Sequence, residues 1–177
     1  AELDPGRAAV SFEELESQIA QIGQHYHSGH PVLDVILTAK GKVCSAEGIT
    51  FTAVADGSLL TGMSSMDIAT LFGNALDNAI EASRRVDDPA KRLIKLALFR
   101  QGQMVVIRVD NWFDGRLNTD AGGRLTPIKP DSVRHGWGVK SIQWTARKYG
   151  GQAVTDVADH WFTLTVLLPS THPQEDE

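Results

Sequence analysis

Apolar residues recur along this chain in two rhythms. Over 64–85 the positions Ile68, Leu71, Phe72, Ala75, Leu76, Ala79 and Ile80 keep the i, i+3, i+4, i+7 spacing of an amphipathic helix. Ser64 or Ser65 caps its start, and it stops near Arg85, ahead of Asp87-Asp88-Pro89. Two alternating runs follow in 93–100 and 104–110, joined by Gln101-Gly102-Gln103, and predict an antiparallel hairpin. A second hairpin is predicted over 152–157 and 161–168.

Upstream, Ser11 and Glu14 form a capping box that opens a first helix. Its apolar positions Phe12, Leu15, Ile19, Ile22 and Tyr26 alternate three and four apart, the narrow seam of a coiled coil. Two readings stand: a helix packed on its own domain, or the end of a dimerising helical hairpin whose other helix lies before residue 1. Pro31 suits the first turn of a second helix, and Gly48 suits its left-handed end. Residues 49–54 read as a strand, and Asp56-Gly57 as its turn.

Residues 112 to about 134 show no period and are rich in Gly, Asp, Arg and Pro, the mark of a functional lid or a disordered connection. His135-Gly136-Trp137-Gly138 then leads into a helix with Val139, Ile142, Ala146 and Tyr149 on one face, ended by Gly150-Gly151. The pattern as a whole predicts an α+β fold, a mixed sheet with helices on one face. Residues 1–28 are expected to be the end of a helical hairpin, 29–170 the main domain, and 171–177 a polar, disordered tail.

Composition narrows the classes. The 177 residues are 42% hydrophobic and carry a net charge of -5. An acidic balance argues against a nucleic-acid binder, which needs a basic face to displace counterions. Cys44 is the single cysteine, so neither an internal disulfide nor a cysteine-rich zinc site is expected, which fits a cytoplasmic domain. No apolar run reaches the roughly 18 residues of a membrane span, so any membrane anchor is expected upstream.

Three constellations carry candidate chemistry. Asn74, Asn78 and Glu81 sit at i, i+4 and i+7, a polar stripe beside the apolar one. Such amides either face solvent or tie a loop; alternatively their carbonyl oxygens meet a hard cation such as Mg²⁺. The Gly136-x-Gly138 turn into a helix is either a plain connection or an anion site, because a helix start offers free N–H groups and a positive dipole end. Finally, Ile107-x-Val109-x-Asn111 places an amide on the buried side of a strand, where it needs hydrogen bonds. An adenine edge supplies them; so does a turn.

In that order, these stretches resemble the GHKL ATPase superfamily, the Bergerat fold of topoisomerases, heat-shock chaperones, mismatch-repair ATPases and histidine kinases. HPVLDVILTAK, GITFTAVADGSLL, LFGNALDNAIEA and HGWGVKSIQWTARKYGG are most similar to sensor histidine kinases of the peptide quorum-sensing type. The resemblance implies a two-layer α/β sandwich behind a dimerisation-type helix. It implies that Asn74 and Asn78 hold Mg²⁺ and the phosphates of ATP. Asn111 stands where most members carry an adenine-binding aspartate, with adjacent Asp110 as the fallback, and Gly115 matches that motif's last glycine. Gly136 and Gly138 match a second glycine box, and Lys129 and Arg134 are candidate lid cations over ATP. Phe113 and Arg134 depart from the pattern by replacing a glycine of each box.

Hydrolysing members carry a glutamate as general base where this chain has Asn74. An amide accepts no proton at neutral pH, so the resemblance favours transfer to a histidine over attack by water. Of His25, His27, His30, His135, His160 and His172, none lies on the expected acceptor helix, so the acceptor is expected outside the chain. A homodimer and a response regulator are the implied partners. The rival readings are a non-kinase GHKL ATPase or anti-sigma serine kinase, and a pseudo-kinase that no longer binds nucleotide.

Overall fold

The structure, a computed structural model, describes residues 26–115, 118–119, 125–126 and 132–170; within 118–119, 125–126 and 132–137 it describes the backbone alone. The expected first helix, the expected acidic tail and Lys129 lie outside the described residues, as does the side chain of Arg134.

Helix α1 spans Pro31–Ala46, with proline in its first turn, and Gly48 follows at φ 68° as the left-handed end its position predicts. Strand β1 is Thr50–Ala55. Asp56 then caps a single 3₁₀ turn, Gly57–Leu60, by accepting from the Ser58 N–H. Helix α2, Ser65–Arg84, starts at the N-cap Ser64, whose side chain accepts from the Asp67 N–H. Strands β2, Leu93–Gln101, and β3, Met104–Trp112, form the expected hairpin. Two short strands, β4 at Asn118–Thr119 and β5 at Leu125–Thr126, pair antiparallel, so the connection expected to lack regular structure contains a small hairpin. Helix α3 is Ser132–Lys148, and β6, Gln152–Ala158, and β7, Trp161–Pro169, close the chain.

The main sheet has the order β1-β2-β3-β7-β6. Only β1 and β2 run parallel; the other pairs are antiparallel, so the sheet is mixed. The alternation of side chains decides which face meets the helices. Ile94, Leu96 and Leu98 of β2 share one face with Val105, Ile107 and Val109 of β3 and with Leu164, Val166 and Leu168 of β7. The three helices cover that face. Leu33, Leu37, Leu71, Phe72, Leu76, Ile142 and Ala146 join these strand residues in one core. The opposite face carries Thr50, Thr52, Lys95 and Arg108, all exposed. Helices on one side of a mixed sheet is the architecture the sequence predicts. No helix among the described residues is long and apolar enough to cross a membrane.

One boundary differs in a way that matters for the site. The sequence places the glycine box ahead of the last helix, but α3 begins at Ser132 and contains both Gly136 and Gly138. Glycine inside a helix costs about 1 kcal/mol relative to alanine and does not forbid it. Asp131 and Ser132, residue types that favour a helix start, are the sequence signal for the earlier boundary.

Candidate functional site

Helix α2 lies between the other two helices, and its two flanks are chemically different. One flank meets α1 through ion pairs, Lys40 to Asp77 and Arg84 to Glu47. The other meets α3. There the Asp67 carboxylate accepts from Lys148 Nζ at 2.8 Å and from the Tyr149 hydroxyl at 2.5 Å. The Ser64 N–H also donates to Tyr149 Oη at 3.1 Å. Donation from Lys148, then from Tyr149, lowers the Asp67 pKa to about 2. Asn74 and Asn78 lie on the same helical stripe as Asp67, seven and eleven residues on, and so face the α3 side too.

These contacts fix which end of the sandwich holds the amides. At one end Met63, Val105, Tyr149 and Leu168 line a common cavity beside the Asp67 clasp. Asn78 is eleven residues along α2 from Asp67, about 16 Å at 1.5 Å per residue. Asn111 is six residues along β3 from Val105, about 20 Å away. The far end is tied as well. Arg92 Nε donates to the Val86 carbonyl at 2.9 Å, just past the end of α2, and Ile94 two residues later pairs with Asn111. Asn78 and Asn111 therefore reach the same end, where the 113–131 connection leaves the sheet.

Asn111 is 3% exposed and shares the helix-covered face with Val109 and Ile107, as its spacing predicts. Its Nδ2 donates to the Trp112 carbonyl at 3.4 Å, a long bond to its own neighbour. Asp110 lies on the opposite face, where Oδ1 accepts from Thr163 Oγ1 at 2.6 Å and Arg108 Nε at 3.0 Å. Alternation thus excludes Asp110 from the helix side and leaves Asn111 as the inward polar group.

Gly138 sits against Asn78: a Cβ built on it would stand 3.1 Å from Asn78 Oδ1. The glycine box therefore meets the asparagine helix, but not in the form the sequence suggests. Inside α3 the N–H groups of Gly136 and Gly138 point back along the helix to carbonyls one turn earlier. The N–H groups that helix geometry leaves without an intrahelical partner at this start include those of Ser132, Val133 and Arg134 instead. Glu81 pairs with Arg85 at 3.3 Å. Gly115 takes φ 87° and packs on His160, whose turn lies at the same end. Neither the Asp67–Lys148–Tyr149 clasp that locks α2 to α3 nor the approach of His160 to the Asn111 end is readable from local spacing, because each depends on contacts across more than 40 residues.

The arrangement defines a class: a two-layer α+β sandwich with the amides Asn78 and Asn111 and the glycines Gly115 and Gly138 at one end. Among the described residues no group of three His, Cys, Asp or Glu could hold a metal ion. The GHKL-domain family model matches residues 63–169, more than half of the chain, and the chain belongs to the GHKL family. The catalytic domain of histidine kinase ThkA has a similar fold, with a TM-score of 0.54 at 15% identity over 78% of this chain and 91% of that one. The histidine kinase AdeS of Acinetobacter baumannii is similar with a TM-score of 0.53 at 10% identity, over 97% of this chain and 88% of that one. A sequence comparison with curated proteins finds no match.

Proposed function

We propose that this chain is the ATP-binding catalytic domain of a two-component sensor histidine kinase. It delivers the γ-phosphoryl group of Mg·ATP to a histidine on a dimerisation helix, a residue other than its own six histidines. The observation that carries the reading is the seat of Asn78: an amide facing α3 at the Asn111 end of the sandwich, so close to Gly138 that a Cβ there would stand 3.1 Å from its Oδ1.

The residues fit a metal that comes with its nucleotide. Two side-chain carbonyl oxygens one helical turn apart suit a hard cation that keeps water and phosphate oxygens as its other ligands. When bound, Mg²⁺ offsets charge on the phosphate oxygens. Asn111 is suited to the base. Its amide presents a donor and an acceptor together, the complement of an adenine edge, and its side-chain hydrogen bond to the Trp112 carbonyl is long, at 3.4 Å. Asn74 places an amide where a general base for water would have to be a carboxylate. The chain therefore positions a phosphoryl group without activating water, which suits transfer to an imidazole. A dimer through the upstream helix and a response regulator as downstream acceptor complete the proposal.

Two measurements test it. Calorimetry of the chain with Mg·ATP should show binding, and Asn78→Ala should remove its magnesium dependence. Radiolabelled ATP, given to the chain joined to its upstream helical hairpin, should leave a label stable in base and labile in acid. Steady phosphate release by the isolated chain would favour a hydrolase instead, and absence of nucleotide binding would favour a pseudo-kinase.

A further inference from the structure

The hairpin between β6 and β7 turns on Asp159 and His160, with φ of 48° and 64°. A two-residue turn with both φ positive takes glycine or asparagine most readily, because a larger side chain there crowds the backbone. His160 holds this conformation against that cost, and its imidazole is engaged on several sides. The ring stacks on the Trp112 indole, centroids 5.2 Å apart and planes 10° off parallel. Its Nδ1 lies 3.2 Å from the Phe113 carbonyl oxygen. A carbonyl only accepts, so Nδ1 carries the hydrogen and donates. A Cβ at Gly115 would come within 3.1 Å of Cε1 and 3.3 Å of Nδ1. The backbone adds a bond from the Phe113 N–H to the His160 carbonyl at 2.9 Å. On Trp112, Lys91 Nζ lies 5.1 Å from the ring centroid.

One side chain thus touches three of the four residues that follow Asn111, and these are the residues through which the chain leaves the sheet after β3. The chain of contact reaches Asn111 itself, whose Nδ2 donates to the carbonyl of the stacked Trp112. We propose that His160 is a positioning residue for the base end of the nucleotide site: by clamping 112–115 from outside the cleft it sets the orientation of the Asn111 amide. The inference rests on the reading of Asn111 as adenine-facing. A strained non-glycine residue in a turn where glycine would relax the backbone is the kind of outlier that marks such a role.

The test uses the full chain, its His160→Gly and His160→Asn variants, and two ligands, Mg·ADP and Mg·tripolyphosphate. Glycine relaxes the turn, so His160→Gly should melt no lower than the parent while removing every imidazole contact. Asparagine tolerates positive φ and can donate from a position near that of Nδ1. The expected result is a loss of Mg·ADP affinity in His160→Gly of about tenfold, the scale of one positioning hydrogen bond. His160→Asn should recover most of it, and tripolyphosphate affinity should be the same in all three chains. Equal Mg·ADP binding by parent and His160→Gly overturns the inference, as does an equal loss for tripolyphosphate. A parent chain that binds tripolyphosphate no less tightly than Mg·ADP overturns the base-site reading beneath it, a result distinguishable from the first two.

Discussion

Gly138 and Asn78 are in direct contact across the α2–α3 interface: a Cβ at 138 would lie 3.1 Å from Oδ1 and 3.3 Å from Nδ2 of the amide. That spacing is tighter than ordinary van der Waals contact, so any side chain at 138 must displace the amide. Gly138→Ala therefore separates fold from site. Alanine should stabilise the helix by up to about 1 kcal/mol, so melting should hold or rise. Mg·ATP affinity should fall by about tenfold, a loss of about 1.4 kcal/mol. Thermal melts and calorimetry on the same variant check both halves; a variant that binds as tightly as the parent would detach Gly138 from the site.

Magnesium alone should not bind. Among the described residues no cluster of three His, Cys, Asp or Glu exists to hold it, and two neutral amides replace too little of the ion's hydration shell. Millimolar Mg²⁺ is expected to leave the melting temperature unchanged in the absence of nucleotide and to raise it only in its presence. A melt with Mg²⁺, with ATP plus chelator, and with both decides this. Stabilisation by the metal alone would require a carboxylate ligand, and Glu81 would be the residue to replace first.

Much of this molecule is legible in its sequence because much of it is set by local period. The apolar stripe of α2 from Ile68 to Ile80 is buried along its whole length, and Ser64 caps it as its side-chain chemistry predicts. Alternation alone places Asn111 inward and Asp110 outward. What stays hidden is whatever depends on tertiary contact or on small energy differences. Gly136 and Gly138 read as a break because glycine is a poor helix former, yet their cost is about 1 kcal/mol each and α3 runs through them. The short β4–β5 hairpin has two-residue strands, too brief for alternation to register. Lys148 and Tyr149 carry no local sign that they close on Asp67, 81 and 82 residues away in sequence.

That clasp has a pH signature. The Asp67 carboxyl titrates at about 2 in the folded chain, below its ordinary 3.8, because Lys148 and Tyr149 donate to it. A depressed folded pKa means that the stabilisation is fully present above about 4 and is lost as pH falls from there toward 2. Asp67→Asn should lower the melting temperature at neutral pH and flatten its dependence on pH across that window. Melts at pH 2, 3, 4 and 7 test the sign. A variant with the parent's acid profile would place the acid sensitivity on other carboxylates.

Asn111 gives the sharpest separation between a structural and a functional amide. It is buried, and among the described residues its side chain is held by a 3.4 Å bond to the next residue's carbonyl. A buried polar group so poorly satisfied contributes little, and an apolar replacement of similar size is close to neutral or stabilising. Asn111→Leu should therefore melt at or above the parent. If the amide reads adenine, the same variant loses what only an amide supplies. The affinity for Mg·ATP should drop about tenfold to a hundredfold, as expected for a lost paired contact of 1–3 kcal/mol. The preference for ATP over GTP should shrink with it, while Mg·tripolyphosphate binds as before. Competition between ATP and GTP in parent and variant measures the selectivity directly. A destabilised Asn111→Leu with unchanged nucleotide preference would make the residue a structural amide, and the base would have to be recognised elsewhere.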